Sequence, residues 1–203
     1  MKKVLLVAAC LVLAACASFE RNVPEPRVYR LSVPALPAGP GVEANLVVLE
    51  PVVAPGLDSE RIASLWPGNR LDYYAGARWS GALGSLVQGT LVAAVRGAGR
   101  VTTVEADPGR FRATHVLGLE VIRFESDYGG GGDPVARVVM NATLARHGDR
   151  RALASWSAAG EAPASANTLT AVTAALDAAF ARAAVELAGP ALEALAADVA
   201  GQP

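Results

Sequence analysis

Cys10 and Cys16 are the only cysteines of this 203-residue chain, and the N-terminal pattern predicts that one of them is removed. Residues 1–15 read MKKVLLVAACLVLAA: Lys2 and Lys3, then an apolar run from Val4 to Leu13, then Ala14 and Ala15. This is the layout of a secretory signal, too short and wrongly flanked for a membrane-spanning helix. Cys10 lies inside the apolar run and leaves with it. Cys16 is left as the sole thiol, so the mature domain forms no internal disulfide and its fold must rest on packing alone.

The junction Leu13-Ala14-Ala15-Cys16 resembles a bacterial lipobox. There the cysteine thiol receives diacylglycerol and becomes the new N-terminus. One acyl chain anchors only marginally, and diacylglycerol supplies two. The expected organisation is a signal peptide over 1–15, a lipidated N-terminus and flexible tether over 16–27, and one domain over 28–203. The tether, ASFERNVPEPR after Cys16, spans up to roughly 35 Å when extended. Ala17 and Ser18, with no aspartate, follow the pattern of lipoproteins sent to the periplasmic face of the outer membrane. The inner membrane is the alternative.

The leader holds two lysines and no acid, so the mature chain carries 16 basic and 19 acidic residues. No clustered basic face points to nucleic acid. Every mature basic residue is arginine, which reads as codon bias.

Periodicity supplies the elements. Short strands are expected at Val28–Leu31, Leu46–Val53, Arg70–Ala75 and Val101–Val104, with a helical turn capped by Asp58 or Ser59 through Leu65. A helix over about 78–97 carries an apolar stripe of Trp79, Leu83, Leu86, Val87, Thr90, Leu91 and Ala94. Strands 116–124, 135–145 and about 151–160 form an antiparallel meander. A C-terminal helix starts near Ser165 or Asn167, with its stripe through Leu169, Val172, Leu176, Phe180, Ala183 and Leu187. Gly189-Pro190 breaks or kinks it, and Asp177, Arg182 and Glu186 lie off the stripe. The predicted fold is a single α+β domain: a mixed, mainly antiparallel sheet with two main helices on one face.

Tests for chemistry are negative. His115 and His147 lack partners at metal-ligand spacing, so no metal and no other cofactor is expected beyond the lipid on Cys16. Ser80 and Ser85 lack the glycine of a nucleophile elbow. Gly129–Gly132 lack the lysine of a phosphate loop and precede a strand, so they read as a hairpin loop. Glu120 and Glu125 flank Arg123 and need no catalytic role. Tyr73 and Tyr74 must point to opposite faces of their strand, so one ring faces a groove or partner. Trp79 joins them as a candidate, with core packing favoured.

These residues carry a resemblance. Tyr29-Arg30-Leu31 is followed by a valine strand ending Pro51-Val52-Val53-Ala54-Pro55-Gly56-Leu57. Arg61-Ile62, Leu71-Asp72-Tyr73-Tyr74 and Trp79 come next. Leu117-Gly118-Leu119-Glu120-Val121 and Phe124 precede the meander and the alanine-rich helix. The order and spacing resemble the ABC-type transport auxiliary lipoprotein family, the periplasmic partners of MCE-domain lipid transporters. The resemblance implies a non-enzymatic subunit that docks an MCE protein and serves transport of phospholipid or another hydrophobic molecule, with homo-oligomers allowed. A stand-alone lipid-binding or envelope-assembly lipoprotein is the rival reading.

Overall fold

The computed structural model describes residues 25–109, 112–148 and 151–201. The expected signal peptide, Cys16 and most of the expected tether lie outside them. Nine strands and two helices follow one another as β1 (Arg27–Tyr29), β2 (Val42–Val48), β3 (Val52–Val53), β4 (Arg61–Trp66), β5 (Arg70–Trp79), α1 (Leu83–Ala98), β6 (Val101–Glu105), β7 (His115–Asp127), β8 (Val135–Arg146), β9 (Ala152–Pro163) and α2 (Leu169–Ala200). The α+β class stands, with buried residues of both helices in one core.

β7 is the spine. One of its edges pairs antiparallel with β8 along its length, and β8 pairs antiparallel with β9. The other edge is shared end to end by β2, β3 and β4, all parallel to β7. Beyond them the sheet divides: β6 flanks β2, while β5 and then β1 flank β4. Five of these eight pairings are parallel, so the sheet is mixed and the expectation of a mainly antiparallel one is corrected. Short strands with long connections between them permit parallel pairing, which hairpins do not.

Where a helical turn from Asp58 or Ser59 through Leu65 is expected, the chain bends over 58–60 and then runs as strand β4 from Arg61. Ile62, Ala63 and Ser64 are all buried between β5 and β7. The cue is the next turn, where Gly68 and Asn69 both take positive φ, the hairpin geometry that Gly and Asn favour. The expected 46–53 strand is two strands separated at Glu50-Pro51. Trp79 ends β5 and does not open a helix: its N–H donates to Glu60 O at 2.7 Å, and that of Ser80 to Tyr29 O at 2.8 Å. Backbone spent on the sheet leaves α1 to start at Leu83. α1 ends at Gly99 in the left-handed conformation, where glycine carries no Cβ penalty.

α2 is capped by Thr168, whose hydroxyl accepts from Ala171 N at 3.3 Å. Asn167 is occupied elsewhere: its Oδ1 accepts from the Tyr128 hydroxyl at 2.7 Å. The helix continues through Pro190 to Ala200, where a break or kink was expected. Buried Leu192 and Leu195 hold its second half. So does Asp198, which accepts from His115 Nε2 at 3.0 Å and from Arg146 Nη2 at 2.6 Å. All three off-stripe charges bond backbone from other segments. Asp177 accepts from Ser32 N and Glu186 from Ala159 N, while Arg182 donates to Glu161 O. The last two satisfy groups on the outer edge of β9, which otherwise invites pairing with another chain.

α2 approaches β9 closely through small residues. Ala158, Gly160 and Ala162 face Ala175, Ala179 and Ala183, all buried. A Cβ on Gly160 would stand 1.9 Å from Ala179 O, so backbone meets backbone. Gly160→Ala should therefore force the helix off the strand and destabilise by about 1–3 kcal/mol. Urea unfolding of the variant checks this; an unchanged midpoint refutes it.

Candidate functional site

With both helices on one side, β7 and β8 turn their other side outward. On that side Glu120 pairs with Asn141, Arg123 with Val139 and Glu125 with Arg137. Val121 and Arg123 bracket a bulge that pushes out Ile122, 44% exposed. Val52, 71% exposed, lies beside Glu120 on the parallel neighbour β3. Leu49 rims a groove of about 450 Å³ lined also by Pro108, Val116, Ala145 and His147. Through the Leu65 and Ala63 pairings, Leu71 and Tyr73 of β5 join the same side. Of the six large apolar side chains exposed among the described residues, Leu49, Val52, Leu71 and Ile122 fall here. Clustered exposed apolar groups mark contact surfaces more than scattered ones do.

A ladder of charge borders this patch. Arg123 holds Glu125 at 2.6 Å and Asp127 at 3.1 Å; Arg137 reaches Asp127 at 3.1 Å and also Glu161. The Gly129 N–H holds the Asp127 carboxyl below its usual range, against burial and with help from Arg123. Burial alone would lower the Arg123 pKa, but bonds and charge from Glu125 and Asp127 raise it. The same Gly129 bond, 2.7 Å to Asp127 Oδ1, anchors the glycine loop to the ladder.

The two tyrosines diverge as alternation requires. Tyr73 takes the outer side, with its hydroxyl donating to Gly56 O at 2.7 Å and the Arg61 guanidinium 3.5 Å from its ring centroid. Tyr74 points the other way, its hydroxyl 2.6 Å from Ser126 Oγ and 2.8 Å from the Tyr128 hydroxyl. Tyr128 stacks on Trp66 at 4.1 Å, and Arg70 covers Trp66 at 5.4 Å. Burial pushes the Tyr74 hydroxyl above its ordinary value, and the Tyr128 bond adds to that against the opposing Ser126 bond. It stays protonated at neutral pH as a structural link. Trp79 is 1% exposed and packs edge-on against Phe124 at 5.7 Å, so of the three candidates it lies in the core. Sequence reading missed Trp66 and Tyr128, although Trp66 directly precedes the hairpin glycine turn.

His115 lies between Thr114 and Asp198 in a triad-like row. The order opposes nucleophile activation: Thr114 Oγ1 is held by Asn45 N and O, and the imidazole is 1% exposed. Among the described residues no group of three His, Cys, Asp or Glu is placed to hold a metal.

Residues 29–188 match the model of the ABC-type transport auxiliary lipoprotein component. A crystal structure from Xanthomonas campestris, assigned to family DUF330, superposes with TM-score 0.78 at 30% identity, covering 86% of this chain and 98% of that one. Two others show the fold alone. An uncharacterized protein gives TM-score 0.64 at 16% identity, with 84% and 99% covered. A hypothetical protein from Chlamydia trachomatis gives 0.50 at 9%, with 77% and 99% covered. No curated protein matches the chain.

Asp127 provides a test of the ladder. Its folded-state pKa lies below the unfolded one, so its contribution is complete above the usual carboxylate range and is lost as pH falls through the folded value. Asp127→Asn should lower the urea midpoint at pH 7. The gap to wild type should shrink below about pH 4. A gap that does not depend on pH counts against the ladder.

Proposed function

The chain belongs to the ABC-type transport auxiliary lipoprotein family, and from that premise we propose a non-catalytic, lipid-anchored subunit of an MCE/ABC lipid transport system. Cys16 carries the diacylglycerol. The anchor sits in the outer membrane, and the domain docks the periplasmic MCE conduit there. The cargo is phospholipid or another hydrophobic molecule.

The family match carries this reading. Chemistry supports it, since apolar lipid surface costs roughly 25 cal/mol per Å² in water. Transfer between membranes therefore needs a shielded path that meets each bilayer closely. A tethered domain raises its own effective concentration at that junction. Among the described residues no helix is long and apolar enough to cross a membrane, and an acylated Cys16 supplies attachment without one. The outer side of the sheet, with Val52, Ile122, Leu71 and Tyr73, is the docking surface assigned to the conduit. It pairs an apolar centre with a charged border, the usual anatomy of a protein contact.

A photo-reactive residue at Val52 or Ile122 in the native host is expected to cross-link to an MCE-domain protein. Cys16→Ser should shift the protein to the soluble periplasmic fraction and abolish that adduct. Cross-links only to unrelated envelope proteins would overturn the assignment.

A further inference from the structure

Two turns and the start of a helix gather at one end of the sheet. β4 and β7 run parallel, with Leu65 level with Asp127, and Tyr128 N donates to Leu65 O at 2.8 Å. The β4–β5 turn at 67–69 and the glycine loop 129–132 therefore emerge side by side, and all of these residues are exposed. The Tyr128 bond to Asn167 brings the start of α2 to the same end.

The chain also enters from this end. β1 is parallel to β5, and β5 is antiparallel to β4. β1 therefore runs against β4, and Glu25 and Pro26 approach it from the side where β4 finishes. Val28 lies level with Arg78, and Arg78 with Arg61. The turn thus projects past Val28 by the length of β4, roughly 17 Å, toward the side from which the chain arrives. Residues 16–24 extend to roughly 30 Å at most. A chain held by acyl groups on Cys16 keeps this turn within reach of the bilayer. The opposite end, where β7 begins at His115, stands roughly 40 Å further back.

The side chains at the turn suit that position. Trp66 is partly exposed, its ring stacked on Tyr128 at 4.1 Å and covered by Arg70 at 5.4 Å. Its Nε1 donates to Ser64 Oγ at 3.2 Å. Tryptophan and tyrosine favour the boundary where an apolar phase meets a wet one. Arg70 is exposed, and among the described residues its guanidinium has the Trp66 ring and no carboxylate. An arginine so placed binds phosphate oxygens while its stem stays over the ring. Charges at this end are mixed, Arg27 and Arg70 with Glu25, Asp72 and Asp133, so the aromatic stack and not a basic field selects the surface.

We infer that the Trp66–Arg70 turn is a second membrane contact, seated in the headgroup layer of the bilayer that holds Cys16. It rests on the acylated cysteine of the reading above and is independent of the MCE partner. Two points of attachment orient a domain that a single tether leaves to swing.

The test uses the mature lipoprotein in vesicles of phosphatidylethanolamine and phosphatidylglycerol, with or without lipid carrying a doxyl group near the headgroup. A fluorophore is attached at Pro67→Cys or, at the far end, at Thr102→Cys on exposed β6. Flotation first shows that the chain is anchored. Doxyl lipid should then quench the Pro67→Cys label several-fold more than the Thr102→Cys label. Arg70→Glu should reduce that quenching without changing flotation. Asn69→Cys repeats the measurement if Pro67→Cys lowers the melting temperature. Equal quenching at the two ends, none at the turn, or quenching that Arg70→Glu leaves unchanged overturns the contact while the anchor stands. A chain that does not float overturns the anchor, and the contact with it.

Discussion

The approach of α2 to β9 governs the rest of the architecture. Gly160 lets the helix backbone touch the strand, and the alanines on both sides keep the layer thin. Thinness has a direct energetic effect: many short contacts accumulate dispersion energy that longer side chains would collect only with rotamer cost. It also sets where α2 lies along the meander. From that position Arg182 and Glu186 reach the edge of β9, and Asp198 reaches His115 and Arg146. With the helix layer held on one side of β7 and β8, the opposite side is left free for Val52, Ile122 and Tyr73.

The meander and both helices were legible in the sequence because each has a long, regular period. Strand β8 alternates over its whole length, and the stripe of α2 steps by three and four from Leu169 to Leu187. Short elements were less legible. β4 carries three consecutive buried residues, Ile62 to Ser64, so no alternation announces it; only Gly68-Asn69 marks the hairpin. Parallel pairing of β2, β3 and β4 with β7 is a tertiary choice that local periodicity does not encode. Trp79 sits where two readings compete: its spacing suits the stripe of α1, but its N–H is claimed by Glu60 O.

Of the surface, the sequence showed that Tyr73 and Tyr74 diverge, but not which faces outward. That depends on the β4–β5 register, which places Ala63 opposite Tyr73. The apolar patch was hidden for the same reason, since Leu49, Val52, Leu71 and Ile122 come from four separate segments. Family resemblance survived these local errors because it rests on the order of many short elements across 29–188, not on any one of them.

β1 is three residues long and lies at the sheet margin, parallel to β5 from Arg27 to Tyr29. It is the first strand of the described chain. Tension applied from that side therefore loads a three-rung ladder first, then the Ser32–Asp177 bond, and only afterwards the packed interior. The domain can be tugged from its leading end, and its margin yields before its centre does. Peeling of that margin costs three rungs of one ladder and leaves the helix-covered layer of the sheet untouched.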